Sequence, residues 1–254
     1  MSAHEEIITR LDDAARYARE VPQFDQDNSL SLPDAYEIQR GSIARRLERG
    51  ERRVGVKMGF TSRAKMLQMG LSDVIWGRLT DAMQLEEGAD VQHSRFVHPR
   101  VEPELAFLLK KPLTGKVTGA EALAAVEAIA PALELIDSRY RNFKFTLPEV
   151  IADNASSSGF VVGGWHSPAT DFRNLGLVMS IDGRAVQVGS TAALLGDPLR
   201  SLVAAARVSA AAGEPLEAGW IVLAGGATPA EWIHPGQHIS LRMQGLGSAS
   251  LQLV

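Results

Sequence analysis

The chain has 254 residues, 45% of them hydrophobic and 22% charged, which is ordinary globular composition and long enough to bury a sizeable core. A formal net charge of −4 and 6% aromatic residues leave no basic excess for a phosphate backbone and little stacking surface, so nucleic acid is not an expected partner. Cysteine is absent, which excludes disulfides, thiolate metal sites and a cysteine nucleophile. The opening "MSAHEEIITRLDDAARYARE" is charged throughout and no apolar run approaches the ~18 residues of a membrane span, so the expected setting is the cytoplasm, away from membranes.

From Glu5 to Glu20 apolar residues recur at Ile8, Leu11, Ala14, Ala15 and Ala18, which is helical spacing. A second amphipathic helix opens near Leu32-Pro33-Asp34, where proline suits the first turn. Residues 1–50 are therefore expected to form a helical segment. Residues 51–254 are expected to form a β-rich body, because the short runs "RRVGVKMGF" (52–60), "RVEPELAFLL" (100–109), "PALELID" (131–137), "SGFVVGGW" (158–165), "LGLVMSIDG" (175–183), "GWIVLAGGA" (219–227), "HISLRMQGL" (238–246) and "SASLQLV" (248–254) are strand-like and punctuated by Gly, Pro or Asp. Two alanine-rich stretches, 119–130 and 197–213, read as helices packed on the sheet. The fold class is α+β, in a single domain with a helical N-terminal segment.

On a strand, side chains alternate, so Glu102 and Glu104 of "RVEPELAFLL" share a face one pleat apart. Glu134 is likewise a lone acid between Leu133 and Leu135. An unpaired buried carboxylate costs several kcal/mol, so three of them call for compensating cations. Oxygen ligands without Cys and without a paired-His motif point to a hard ion, Mg²⁺ or Mn²⁺. The same spacing also fits glutamates that face solvent or pair with Arg100, Arg139 and Arg141. In "GVKMGFTS", Lys57 stands between Gly55 and Gly59, opposite in direction to Val54, Val56 and Met58. Beside a metal and substrate such a lysine can donate a proton or hold a carboxylate; an edge-strand lysine that discourages aggregation has the same pattern.

The blocks "GVKMGFTSRAKMLQMGL", "HPRVEPELAF", "ELIDSRYRNFKF", "IADNASSSGFVVGG" and "MQGLGSAS" together resemble the fumarylacetoacetate hydrolase superfamily, and within it the branch of 4-oxalocrotonate decarboxylases and 2-hydroxypentadienoate hydratases. The resemblance covers nearly the whole chain. It implies the family's β-rich fold, metal ligands at Glu102, Glu104 and Glu134, an active-site lysine at Lys57, and Mg²⁺ or Mn²⁺ as cofactor. Three runs look like the decarboxylase version: "KMGFTSRAKMLQMG", "SRYRNFKF" and "LAGGATPA". Where hydratases carry an acid before the aromatic-Gly pair, Ile75 precedes Trp76-Gly77, with Asp73 two positions earlier as a possible substitute.

The substrate implied is a small 2-oxo dicarboxylate, 2-oxohex-3-enedioate, whose decarboxylation gives 2-hydroxypenta-2,4-dienoate and CO2 in meta-cleavage degradation of aromatic compounds. A homo-oligomer and a complex with the hydratase that acts next are implied as well. An apolar wall around the departing carboxylate would favour CO2 over the anion; Met58, Met69, Ile75 and Trp76 are the candidates for it, with plain core packing as the alternative. Arg139, Asp153 and Asn154 are candidates to orient ligands or substrate, or else to form a turn or cap.

Overall fold

The computed structural model describes residues 3–25, 29–62, 66 and 73–254. Two helices open the chain, α1 (Ala3–Tyr17) and α2 (Leu32–Glu48). The start of α2 follows from local chemistry: the Ser31 hydroxyl accepts a hydrogen bond from the Asp34 amide, and Pro33 lies in the first turn, where its missing N–H costs nothing. Asp12, fully buried on α1, is held by Arg45 of α2 and by Arg49, the residue that caps the end of α2. The pair packs Leu11, Ala14, Ala35 and Ile38 against Ile75, Tyr140, Val150 and Ile151, so the helical layer covers one side of the site described below.

The body contains thirteen strands among the described residues: β1 (Arg53–Gly59), β2 (Ile75–Thr80), β3 (Gln84–Leu85), β4 (Asp90–Val91), β5 (Pro99–Leu109), β6 (Val126–Asp137), β7 (Ser157–Val162), β8 (Gly176–Ile181), β9 (Arg184–Ser190), β10 (Ile221–Leu223), β11 (Glu231–Trp232), β12 (His238–Met243) and β13 (Gly247–Leu253). Eight form a large sheet in the order β2-β1-β10-β5-β6-β7-β3, with β11 added beside β5; five form a smaller sheet, β4-β13-β12-β8-β9. On β5, Leu105, Phe107 and Leu109 join Leu241 and Leu251 of the small sheet in the main core, whereas Ala106 belongs to a separate cluster with Leu79, Phe160 and Leu223. The strand alternation therefore sends Glu102 and Glu104 to the face turned away from the small sheet. Three shorter helices complete the fold: α3 (Gly119–Ala124), α4 (Leu147–Ala152) and α5 (Pro198–Ala211). Among the described residues no helix is long and apolar enough to cross a membrane.

The helix expected over 119–130 is half right. Helix α3 starts with a capping box between Thr118 and Glu121 and ends at Ala124; from Val126 the chain is β6. Alanine favours the helix locally, but β6 pairs with β5 from Leu109↔Val126 to Pro99↔Asp137, and the buried Val126 and Ile129 suit that pleated surface. Strands β2 and β9 are additions that periodicity did not single out.

Candidate active site

The central pair of strands places the three acidic residues. Glu102 and Glu134 are direct cross-strand partners on β5 and β6, and Glu104 lies one pleat further along, opposite Ala132. One carboxylate oxygen from each falls within 4.8 Å of the others. Glu104 and Glu134 are completely buried, so the solvent-facing alternative does not hold for them. Arg139 and Arg141 do not neutralise the cluster either: Arg139 is bound to Asp153 and Arg141 lies 3.8 Å from Glu20. Like charges set opposite each other on adjacent strands repel, so an uncompensated arrangement of this kind would be lost from a structural core.

Part of the compensation comes from Lys57 on β1. Its ammonium lies 2.9 Å from Glu134 Oε2 and donates to the Ala155 carbonyl at 3.1 Å. The side chain reaches there past Gly77, its partner on β2, where a Cβ would meet the Asn154 carbonyl at 2.6 Å and Lys57 Cδ at 3.2 Å. Burial pulls the Lys57 pKa down, but Glu134, Glu102 and Glu104 outweigh it and the ammonium is held above its ordinary value. Burial, reinforced by Glu134, pushes the Glu104 carboxyl well above its own, with Lys57 opposing. Remaining oxygens are partly satisfied: Ser157 Oγ donates to Glu134 Oε1 and the Gly225 amide to Glu104 Oε2, each at 2.7 Å.

The glycine pair of "LAGGATPA" has a steric reason. A Cβ at Gly225, which has φ +105°, would lie 2.1 Å from Thr61 Oγ1, and one at Gly226 would lie 2.7 Å from the Glu102 carboxyl. The loop therefore approaches the acidic cluster as closely as backbone can.

A divalent cation fits this donor set on two grounds. Three carboxylates and one ammonium leave a formal charge of −2 in a largely buried site. Glu104 Oε1 is also buried without a hydrogen bond among the described residues, a cost of ~1–3 kcal/mol that a ligated cation would remove. An all-oxygen set suits a hard ion.

Above the cluster lies a cavity of about 150 Å³. Lys57, Glu102, Thr61, Ser62 and Gly226 supply its polar lining, and Phe60, Ile75, Ile136, Phe143, Phe145 and Val150 its apolar wall. Of the wall residues expected from sequence, Ile75 is in place. Trp76 points to the other side of β2, where it stacks on Tyr36 with ring centroids 5.7 Å apart, and Met58 is packed with it in the main core. Met69 lies outside the described residues. The phenylalanines stand inside the blocks "GVKMGFTS" and "RNFKF", but aromatic residues in such runs carry no sign in sequence of whether they face a core or a cavity. Asp73 is paired with Arg207 at 2.7 Å and does not line the cavity.

Arg139, Asp153 and Asn154 build the turn that aims the Ala155 carbonyl. Asn154, Ala155 and Ser156 are consecutive left-handed residues with φ of 52°, 49° and 60°. Each such position costs ~1–3 kcal/mol and persists only where its surroundings enforce it. Here the Asn154 carboxamide accepts from the Arg78 amide at 2.7 Å and donates to the Arg78 carbonyl at 2.9 Å, which pins the turn to β2. Arg139 donates through Nε to Asp153 Oδ1 at 2.6 Å and through Nη2 to the Asp153 carbonyl at 2.7 Å. The buried Asp153 carboxyl is pushed up to about 6 by burial, against the pull of Arg139.

Residues 54–254 match the fumarylacetoacetate (FAA) hydrolase C-terminal family. The chain belongs to the fumarylacetoacetate hydrolase family. Within that family it is 61% identical over 244 residues to a 4-oxalocrotonate decarboxylase from a Pseudomonas species, covering 96% of this chain and 95% of that one. It is 35% identical to the 2-hydroxyhexa-2,4-dienoate hydratase of Comamonas testosteroni, over 96% and 94% of the two chains. The solved 4-oxalocrotonate decarboxylase from Pseudomonas putida G7, complexed with magnesium and adipate, superposes with a TM-score of 0.95 at 38% identity, covering 100% of this chain and 99% of that one. The fumarylacetoacetate hydrolase fold with its N-terminal helical segment is thus shared with a carboxy-lyase along the whole chain.

Proposed function

We propose that the protein is a carboxy-lyase that converts 2-oxohex-3-enedioate to 2-hydroxypenta-2,4-dienoate and CO2 with the help of a divalent cation, Mg²⁺ or Mn²⁺. The observation that carries this reading is the union of three convergent carboxylates and a buried lysine with an aromatic-walled cavity, in a chain 61% identical to a 4-oxalocrotonate decarboxylase. Glu102, Glu104 and Glu134 would hold the cation, which when bound supplies Lewis-acid polarisation of the 2-oxo group.

In the reaction the bond between C5 and the distal carboxylate breaks, its electron pair enters the conjugated chain, and the 2-oxo oxygen ends as an enol after taking a proton. The apolar wall of Phe60, Ile75, Ile136, Phe143, Phe145 and Val150 desolvates the departing carboxylate and favours neutral CO2. Lys57, held as an ammonium by its three acidic neighbours, is the candidate to orient the substrate or to protonate the enolate oxygen. Asn154, Asp153 and Arg139 act through the turn that fixes Lys57. Water addition, the hydratase chemistry, would want an acid near Ile75; Asp73, the nearest in sequence, is committed to Arg207.

The direct test is to incubate the purified protein with 2-oxohex-3-enedioate, with Mg²⁺ and then with chelator, following CO2 and the ultraviolet absorbance of the dienol. CO2 release that the chelator stops is the expected result. Consumption of supplied 2-hydroxypentadienoate without any CO2 from the dicarboxylate would make the protein a hydratase instead.

A further inference from the structure

The turn Arg141–Phe143 that carries one wall of the cavity is held in a conformation its residues do not favour. Asn142 and Phe143 have φ of 59° and 55°. Asparagine tolerates the left-handed region, but for a bulky aromatic residue it is an outlier. Strain of this kind survives where neighbouring structure over-determines it, and here three separate contacts do. Gln23 Nε2, from the connection between α1 and α2, donates to the carbonyls on both flanks of the turn, Arg141 at 3.0 Å and Lys144 at 2.7 Å. Val21 pairs with the strand-like approach to the turn, its amide donating to Arg139 and its carbonyl accepting from Arg141. Arg100 places its guanidinium carbon 3.9 Å from the ring centroids of both Phe143 and Trp232, in the corner between rings set 74° apart.

The stack grows directly out of the sheet. Trp232 on β11 is the cross-strand partner of Arg100 on β5, and Arg100 is also opposite Ile136 of β6, a cavity residue. Moving along these strands from the Glu102–Glu134 pair to the Arg100–Ile136 pair is a step of two residues, about 7 Å. The cavity lining is thus acidic at one level of the ladder, and at the next it is formed by Ile136 and Phe143, with Arg100 behind the Phe143 ring. Arg100 Nε is buried there without a hydrogen bond among the described residues, and its guanidinium packs against both rings while its charge also acts on Glu102.

We propose that Phe143 determines the length of dicarboxylate the cavity accepts, and that Arg100, wedged between Phe143 and Trp232, is the positioning residue that fixes where that ring stands. The proposal rests on the reading of the cavity as a dicarboxylate site. With the 2-oxo acid end held at the acidic level, the far end of the chain meets Phe143, whose backbone is too constrained to retreat.

The test uses the Mg²⁺-loaded full chain and calorimetric titration with the unreactive diacids adipate, pimelate and suberate, so it does not depend on turnover. Wild type is expected to prefer adipate over suberate by about tenfold or more, and Phe143→Ala to bring that ratio near unity. Arg100→Lys keeps the charge but loses the planar stack, and is expected to land between them, at about threefold. Phe143→Leu, which preserves apolar bulk, covers the case in which the alanine variant fails to fold, and is expected to lower the ratio too. An unchanged ratio in the folded Phe143 variants, or an equal weakening for all three acids, overturns the proposal. If wild type binds none of the diacids, the dicarboxylate reading of the cavity falls, and the length selection falls with it.

Discussion

The two sheets treat polar residues in opposite ways. In the small sheet, exposure follows alternation: on β12, Ile239, Leu241 and Met243 are buried while His238 and Arg242 face water, and on β9 Val188 is 73% exposed. In the large sheet, β5 and β6 are covered on both faces, and the alternation that should mark a wet side instead delivers Glu104 and Glu134 to sites with no exposure. A glutamate on a wet face costs almost nothing, whereas a carboxylate inside a doubly covered sheet costs several kcal/mol unless a cation meets it. Polar residues in the small sheet therefore report solvent, whereas Glu104 and Glu134 at the centre of the large sheet report the candidate site.

The largest expected effect breaks this contrast at its centre. Glu104→Leu should reduce Mg²⁺ affinity and turnover by ~10²-fold or more, while the metal-free protein holds its stability, because removing a carboxyl that burial and Glu134 disfavour offsets the loss of the Gly225 hydrogen bond. Calorimetry with Mg²⁺ and thermal unfolding of the metal-free protein check the two halves; marked destabilisation would mean that the carboxylate serves the fold. Leu241→Ala is the reciprocal experiment in the small sheet. It should cost ~2–5 kcal/mol in denaturant unfolding and leave Mg²⁺ affinity unchanged.

A smaller effect comes from the edge of the large sheet, where Glu214 bridges Arg53 and Arg78. Burial raises its pKa, but hydrogen bonds from Arg78 and Arg53 outweigh that and bring it down to about 2, from an ordinary value of 4.5. A carboxylate with a lowered pKa in the folded state stabilises above its unfolded pKa and loses that contribution as pH falls from about 4.5 to about 2. Glu214→Gln should therefore cost ~2 kcal/mol at neutral pH and progressively less toward pH 2, seen as a flatter acid limb in unfolding against pH.

Much of the site was legible before the fold because the chemistry of Glu102 and Glu104 depends on a period of two, which is a local property. Lys57 between two glycines and Glu134 between two leucines stood out as candidates in the same local way; the family blocks supplied their roles and the Arg139, Asp153 and Asn154 group. Illegible were the phenylalanine wall, the support of Glu134 by Ser157 and the direction of Trp76, away from the cavity and into the main core, because each depends on which face of a strand meets which layer. The run 119–130 shows the same limit: its alanines favour a helix locally, and from Val126 onward pairing with β5 overrides them.

By itself, then, the sequence determined the helical opening with Pro33 in the first turn of α2, the strand segments, and the placement of two glutamates on one face, since helix starts and alternation depend on a few residues. Tertiary structure alone decided that Glu134 stands opposite Glu102, that Lys57 reaches the cluster past Gly77, and that strained turns at 142–143 and 154–156 hold Phe143 and the Ala155 carbonyl over the site. Register, burial and enforced strain arise from segments far apart in the chain, and only their packing sets them.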